Sequence, residues 1–197
     1  MDIVKSISDF AVEFNDANRK SLGCFPVIIP APFQAESWEP PSQNVTKINV
    51  DVGCFKDGFT CWGLVGRNNE GRPLFAATKR ENIKLPIVAA EATSLRWCIQ
   101  WIKEHHMSNV VIEMDSEIVV QCLLGKSYFD TIDLIIAECL ELLFTLVIVS
   151  VIAVKRCKNI AAHGLVGIAR NVGPKSWWGN VPAPISSIIC NELSSIN

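Results

Sequence analysis

Residues 46–54, with the sequence TKINVDVGC, place a carboxylate inside the pattern of a β-strand. Apolar and polar residues alternate along the segment, as they do in a strand with one face toward a core. Asp51 interrupts a set of strongly strand-forming residues, and Gly53 lies where the strand gives way to a turn. The segment therefore predicts a strand that carries an acid close to its end.

A second acid, Glu91, lies on the apolar face of a predicted helix. The helix begins near Pro86 and extends to about His106, and its apolar residues recur at steps of three and four. A bare carboxylate on this inward face costs on the order of several kcal/mol unless it is paired or bound to a metal. A surface glutamate at the rim of the core has the same spacing, so both interpretations remain open at this point.

A third acid, Asp115, follows residues 109–114, an almost continuously apolar run that is typical of a buried parallel strand. Asp115 would lie at the carboxyl end of that strand, where open α/β sheets bind their ligands. The alternative is that Asp115 only forms part of a helix cap with Ser116. We expect Asp51, Glu91 and Asp115 to meet in space.

Composition restricts the partners of this chain. Its 197 residues, 49% of them hydrophobic, suit one domain with an extension. The net charge is −2 and the pI is about 5.9, so the chain has no overall basic field. Nucleic acid would have to be held by a local patch, and residues 155–158 form the densest basic cluster.

The eight cysteines are scattered and form no C-x-x-C pair. This pattern is typical of small buried hydrophobes in a reducing compartment, and not of a disulfide framework or a zinc site. The N-terminus shows no secretory signal. We therefore expect an intracellular protein, nuclear or cytoplasmic, without a targeting signal.

The apolar segment 132–154 resembles a membrane span only in part. It contains Asp133, Glu138 and Glu141, and its uncharged part is shorter than the ~20 residues that spanning requires. A helix followed by a buried strand explains it better, so we expect no membrane partner.

The chain divides into four parts. Residues 1–20 predict an amphipathic docking helix, and residues 21–44 a proline-rich linker. Residues 45–172 form the predicted domain, and residues 173–197 a tail that packs loosely over it.

The predicted element order is β-β-β-α-β-α-α-β-α. A turn at residues 68–71 joins the second and third strands, so the first three strands form an antiparallel meander. Asp130 is predicted to cap the helix before the last strand. Two β-α-β crossovers add two parallel strands, which gives an α/β fold with a mixed five-stranded sheet and helices on both faces.

This order of acids and elements resembles the type-1 ribonuclease H family, and more narrowly the domain of plant retroelement reverse transcriptases and their stand-alone relatives. The resemblance covers residues 38–192 and rests on an ordered set of short matches. These are, in chain order, residues 38–41, 47–51, 90–92, 113–116, Arg156 with 159–163, and Trp178 with Pro182.

The resemblance implies that Asp51, Glu91 and Asp115 are three of the four acids that hold two divalent ions. Two such ions stabilise the attacking and leaving oxygens of a phosphodiester, and hard oxygen ligands suit Mg²⁺, with Mn²⁺ as the alternative. His163 stands where catalytic members carry the fourth acid. The loop histidine of catalytic relatives is also missing, since residues 154–157 are VKRC.

The resemblance further implies a nucleic-acid partner, an RNA–DNA hybrid or another duplex. We expect contacts from Lys155, Arg156, Lys158 and Asn159, with help from a second basic group at residues 79–84. The expected function is nucleic-acid binding by a ribonuclease H-like domain, and the resemblance implies metal-dependent endonucleolytic hydrolysis of RNA in hybrids as the activity if the site is competent. The alternatives are a catalytically impaired, retroelement-derived binding module and a protein-interaction domain that uses only the N-terminal helix and the tail.

Overall fold

The computed structural model describes residues 37–194. The predicted helix at residues 1–20 and the linker up to residue 36 lie outside that range. The helices and strands are β1 (Thr46–Cys54), β2 (Thr60–Arg67), β3 (Pro73–Glu81), α1 (Ile87–Glu104), β4 (Val110–Met114), α2 (Glu117–Leu123), α3 (Asp133–Phe144), β5 (Val149–Ala153), α4 (Ile160–Val172), β6 (Lys175–Trp178) and α5 (Ala183–Ser194). A 3-10 helix, Arg156–Lys158, lies between β5 and α4.

The strands form one mixed sheet in the order β5-β4-β1-β2-β3-β6. Strands β1, β2 and β3 pair antiparallel, whereas β4 runs parallel to both β1 and β5. The predicted fold class, with its meander and two parallel strands, is therefore confirmed. The predicted strand count of five is wrong, because β6 adds a sixth strand.

The C-terminal segment is more ordered than the loose tail that we predicted. Strand β6 pairs antiparallel with β3, with Phe75 opposite Trp178, and α5 packs against α4. The four-residue strand lies between Gly173 and Gly179, too short for a period-two pattern to be recognised in the sequence.

Helices cover both faces of the sheet, as expected. Helices α1, α2 and α3 pack on the face that contains Ile48, Val50 and Leu64. Helices α4 and α5 pack on the opposite face against Val65 and Ala76. Residues on this second face of β1 include Asp51, which faces α4.

Gly63 allows α4 to approach the sheet closely. It lies opposite Asp51 in the β1–β2 ladder. A Cβ atom at this position would lie 2.6 Å from the Leu165 Cβ atom and 2.7 Å from the Ala162 carbonyl oxygen. The missing side chain therefore brings the first turns of α4 against the strand at the level of Asp51.

Two predicted helix caps are absent. Ser116 lies at the N-cap position of α2 but makes no side-chain capping hydrogen bond. The N-cap position of α3 is held by Ile132, not Asp130. Ile132 is fully buried, and its N–H donates to the Phe129 carbonyl at 2.9 Å, so a turn occupies the residues expected to begin the helix.

The apolar segment 132–154 is divided between α3 and β5, as predicted. Leu140 and Leu143 on α3 and Val151 on β5 are buried in the same core. Between residues 37 and 194, no helix is long and apolar enough to cross a membrane.

The seven cysteines in the described range are free. Four are buried, as the sequence predicts: Cys61, Cys98, Cys122 and Cys139. Three are instead exposed: Cys54, Cys157 and Cys190. The expectation of buried cysteines was thus wrong for these three, because they lie at a strand end, in the basic segment and on the outer face of α5.

Candidate metal centre

Three carboxylates from three separate elements converge at one end of the sheet. Asp51 lies on β1, Glu91 on the first turns of α1, and Asp115 directly after β4. One ligand oxygen from each residue lies within 4.8 Å of the other two. The acids that the sequence singled out are therefore neighbours in the fold.

The environment of Glu91 and Asp51 disfavours their negative charge. Burial, together with the nearby Asp51 and Asp115, raises the pKa of Glu91 to about 8. Burial and the charge of Asp115 also raise the pKa of Asp51, against an opposing hydrogen bond from His163. A cation placed among the three groups would relieve both the repulsion and the lost hydration.

The donor set fits a divalent cation. The Oε2 atom of Glu91 is buried and has no hydrogen-bond partner among the residues that the structure describes. Carboxylate oxygens are the hard ligands that Mg²⁺ prefers, and Mn²⁺ accepts them as well. Because Glu91 is partly buried and its Oε2 atom has no partner in the part of the chain that the structure describes, the interpretation of a rim glutamate is the weaker one.

His163 contacts the cluster from α4. Its Nδ1 atom lies 2.8 Å from Oδ2 of Asp51, whose side chain is almost fully buried. The His163 side chain is 51% exposed, so one side of the ring faces the carboxylate and the other faces solvent. His163 is thus a neighbour of the carboxylate cluster.

Asn159 lies inside the site instead of on a binding surface. Its side chain is 1% exposed, and its Nδ2 atom donates to the Val50 carbonyl at 3.0 Å and to Oδ1 of Asp115 at 3.3 Å. This burial argues against our expectation that the Asn159 side chain contacts nucleic acid. A buried amide that holds Asp115 in place is the role that the geometry supports.

The basic segment 155–158, hereafter the basic turn, borders the carboxylates. The Arg156 side chain is 68% exposed, and its guanidinium lies 3.7 Å from Oδ2 of Asp115 and 3.2 Å from Nδ1 of His163. Lys155 is exposed and Lys158 is partly buried. Arg156 therefore lies beside the cluster, on the same short turn that carries Lys155 and Lys158.

The second basic group is largely committed to contacts within the domain. Lys79 forms an ion pair with Glu81 at 2.8 Å. Arg80 donates to the Arg170 carbonyl at 2.7 Å. Lys84 is exposed. These residues are weaker candidates for phosphate contacts than the basic turn.

A buried polar network, which the sequence patterns did not reveal, lies behind the carboxylates. Arg67 is fully buried, stacks 3.3 Å from the centre of the Trp38 ring and forms an ion pair with Glu192 of α5. Asn49 and Glu113 continue the network toward the site. Both lie two residues before a site aspartate. The sequence shows this spacing, but it does not show that Asn49 and Glu113 bind each other or that Asn49 binds Arg67.

Solved structures of ribonucleases H share this fold. RNase H1 of the archaeon Halobacterium salinarum is 20% identical with a TM-score of 0.57, over 65% of this chain and 98% of that one. The N-terminal RNase H domain of a Mycobacterium tuberculosis protein is 20% identical with a TM-score of 0.54, over 63% and 91%. LC11-RNase H1, solved in complex with an RNA/DNA hybrid, is 20% identical with a TM-score of 0.55, over 62% and 94%.

The sequence itself matches a family model. No individual curated protein matches the chain, so the family model is the match at the level of sequence. The model described as reverse transcriptase-like matches residues 49–169, more than half of the chain. This range includes the three clustered carboxylates and His163. The chain therefore belongs to the reverse transcriptase-like family and has the fold of a type-1 ribonuclease H.

Proposed function

We propose that this domain binds RNA–DNA hybrids across the carboxylate cluster and hydrolyses the RNA strand with a bound divalent ion. The observation that carries the proposal is the convergence of Asp51, Glu91 and Asp115 within 4.8 Å at the end of the sheet. The likeness to LC11-RNase H1, which was solved with an RNA/DNA hybrid, supports a hybrid as the ligand.

Asp51, Glu91 and Asp115 would hold the ion. When bound, a divalent ion supplies a polarised water and stabilises the charge that develops on the phosphodiester oxygens. Asp51 and Asp115 lie on or beside rigid strands, and Asn159 fixes the orientation of Asp115. The protein thus presents its oxygen ligands in a set geometry and needs little rearrangement to bind the ion.

The basic turn supplies the phosphate contacts. Lys155 and Arg156 are exposed beside the cluster, and Lys158 is partly buried. The guanidinium of Arg156 lies 3.7 Å from Oδ2 of Asp115, so this charge of the turn borders the carboxylate cluster. A local cationic patch of this kind can hold a polyanion even though the chain has a net charge of −2.

One observation favours a second candidate, a hybrid-binding module with little or no turnover. His163 brings an imidazole instead of a carboxylate to the position of the fourth acid and hydrogen-bonds to Asp51. One anionic ligand fewer weakens ion binding. In this case the domain would still bind the hybrid, and hydrolysis would be slow.

Equilibrium binding tests the shared part of both candidates. A fluorescent RNA–DNA hybrid should bind the full chain, as measured by anisotropy, and compete better than single-stranded RNA of the same sequence. Binding without cleavage in either Mg²⁺ or Mn²⁺ would select the module. If the hybrid and a matched DNA duplex both fail to bind at low salt, both candidates are wrong.

A further inference from the structure

Asn49 is a polar residue buried completely within the central strand of the sheet. Its side chain is 0% exposed and lies on the same face of β1 as Asp51. A buried amide is costly unless its hydrogen bonds are made. Its partners therefore indicate what the residue is for.

The Asn49 amide is held in one orientation. Its Oδ1 atom accepts a hydrogen bond from the Arg67 guanidinium at 2.7 Å, and a guanidinium can only donate. Its Nδ2 atom donates to Oε2 of Glu113 at 2.9 Å and to the Lys158 carbonyl at 3.1 Å. An inverted amide would place an oxygen against two acceptors and an NH₂ group against a donor, so the three partners together fix which atom is the nitrogen.

The bond to Lys158 ties the basic turn to β1. A second amide makes the reciprocal contact, since Nδ2 of Asn159 donates to the Val50 carbonyl at 3.0 Å. Within the turn, the Lys158 N–H donates to the Lys155 carbonyl at 2.8 Å. Two buried amides, one on each side, thus clamp the end of the basic turn to the strand that carries Asp51.

We infer that Asn49 is a positioning residue for the nucleic-acid site, because its buried amide holds the basic turn beside the carboxylates. The inference rests on the proposed function, since it assigns the turn its role in binding. The rest of the network supports Asn49 from behind, because Arg67 is itself held by Trp38 and Glu192. Removing the hydrogen bond to Lys158 should free the turn without disordering the sheet.

A compensated double variant removes this hydrogen bond and keeps partners for the other polar atoms of the Asn49 amide. Asn49→Asp combined with Glu113→Gln exchanges the donor and acceptor between the two strands and keeps the acceptor for Arg67. The Lys158 carbonyl then has no donor and faces an oxygen, whereas Lys47, which forms an ion pair with Glu113 at 3.0 Å, keeps an amide oxygen to donate to. Glu192→Gln is the matched control, because it weakens the buried ion pair with Arg67 and leaves the amide contact with Lys158 in place.

Hydrogen exchange measured by mass spectrometry is the first readout. In the double variant, residues 155–163 should exchange about tenfold faster than in the wild type, while peptides from β1 and β2 remain protected. The control should not show this local increase at equal overall stability. Unchanged exchange at 155–163, or a uniform increase that matches the control, would overturn the inference.

Hybrid affinity is the second readout. The double variant should bind a labelled RNA–DNA hybrid about tenfold more weakly, with a shallower salt dependence. If the wild type binds no hybrid, the proposed function fails, whereas the exchange result still decides whether Asn49 holds the turn. If the double variant does not fold, scalar coupling in the wild type between the Asn49 side-chain nitrogen and the Lys158 carbonyl carbon decides. Absence of that coupling would contradict the inference.

Discussion

The Nδ1 atom of His163 lies 2.8 Å from Oδ2 of Asp51, so the imidazole contacts the most buried acid of the cluster. The contact depends on the close approach of α4 to β2 at Gly63. It places an imidazole, which cannot serve as an anionic ligand, beside the three carboxylates. We therefore expect the affinity for a divalent ion to be lower than it would be with four carboxylates.

Replacing His163 with an acid should strengthen ion binding. His163→Asp adds an anionic oxygen ligand, so the affinity for Mg²⁺ in titration calorimetry should rise on the order of tenfold, and hybrid cleavage in Mg²⁺ should rise with it. His163→Asn is the matched control, because it removes the imidazole without adding charge. Equal Mg²⁺ affinity in the wild type and His163→Asp would show that His163 only packs against the sheet.

The stability of the ion-free protein should depend on the ionisation of Glu91. Its pKa of about 8 lies above the ordinary value of 4.5, so the folded chain keeps a proton that the unfolded chain has released. The stabilisation associated with that proton is complete below pH 4.5 and is lost as the pH rises through about 8. In urea unfolding with EDTA, the wild type should therefore lose stability relative to Glu91→Gln between pH 5 and pH 9. Parallel pH profiles would contradict the assignment.

Hybrid binding should depend on the charges of the basic turn. Lys155→Glu with Lys158→Glu should weaken binding and reduce the slope of log K against log salt concentration by ~0.9 for each duplex phosphate that the turn no longer neutralises. Lys103→Glu is the control, because Lys103 is exposed at the end of α1 opposite Glu91. If the double variant keeps the salt slope of the wild type, the basic turn does not contact the hybrid.

Gly63 and Gly167 should respond oppositely to alanine. Gly63→Ala places a Cβ atom 2.6 Å from the Leu165 Cβ atom and should reduce the free energy of unfolding by roughly 1–3 kcal/mol. Gly167 lies on α4 with nothing within 4 Å of an added Cβ atom, so Gly167→Ala should stabilise by up to ~1 kcal/mol. Urea unfolding measures both. A neutral Gly63→Ala would show that α4 does not need its close approach.

Local patterns were sufficient to predict most of the sheet and the acid cluster. Alternation along β1 and the apolar run of β4 identify strands, and the topology of parallel strands brings Asp51 and Asp115 to the same edge. Glu91 could be placed on an inward helix face by its spacing. Each of these inferences uses a periodicity of a few residues or a rule about strand ends.

The rest depends on pairings that local periodicity does not encode. Arg67 and Glu192 are 125 residues apart in the chain and form a buried ion pair. Asn159 lies at the N-cap position of α4, yet its amide donates hydrogen bonds to the Val50 carbonyl and to Oδ1 of Asp115. Only the packing of α4 and α5 against the sheet identifies these partners.

Cleavage of an end-labelled RNA–DNA hybrid by the wild type and by Asp51→Asn, each in Mg²⁺ and in Mn²⁺, tests the central claim most directly. The wild type should cleave the RNA strand in Mn²⁺, which accepts imidazole ligands, and slowly or not at all in Mg²⁺. Asp51→Asn should cleave in neither metal. Cleavage that persists in Asp51→Asn, or a wild type that neither binds nor cleaves the hybrid in either metal, would contradict the account.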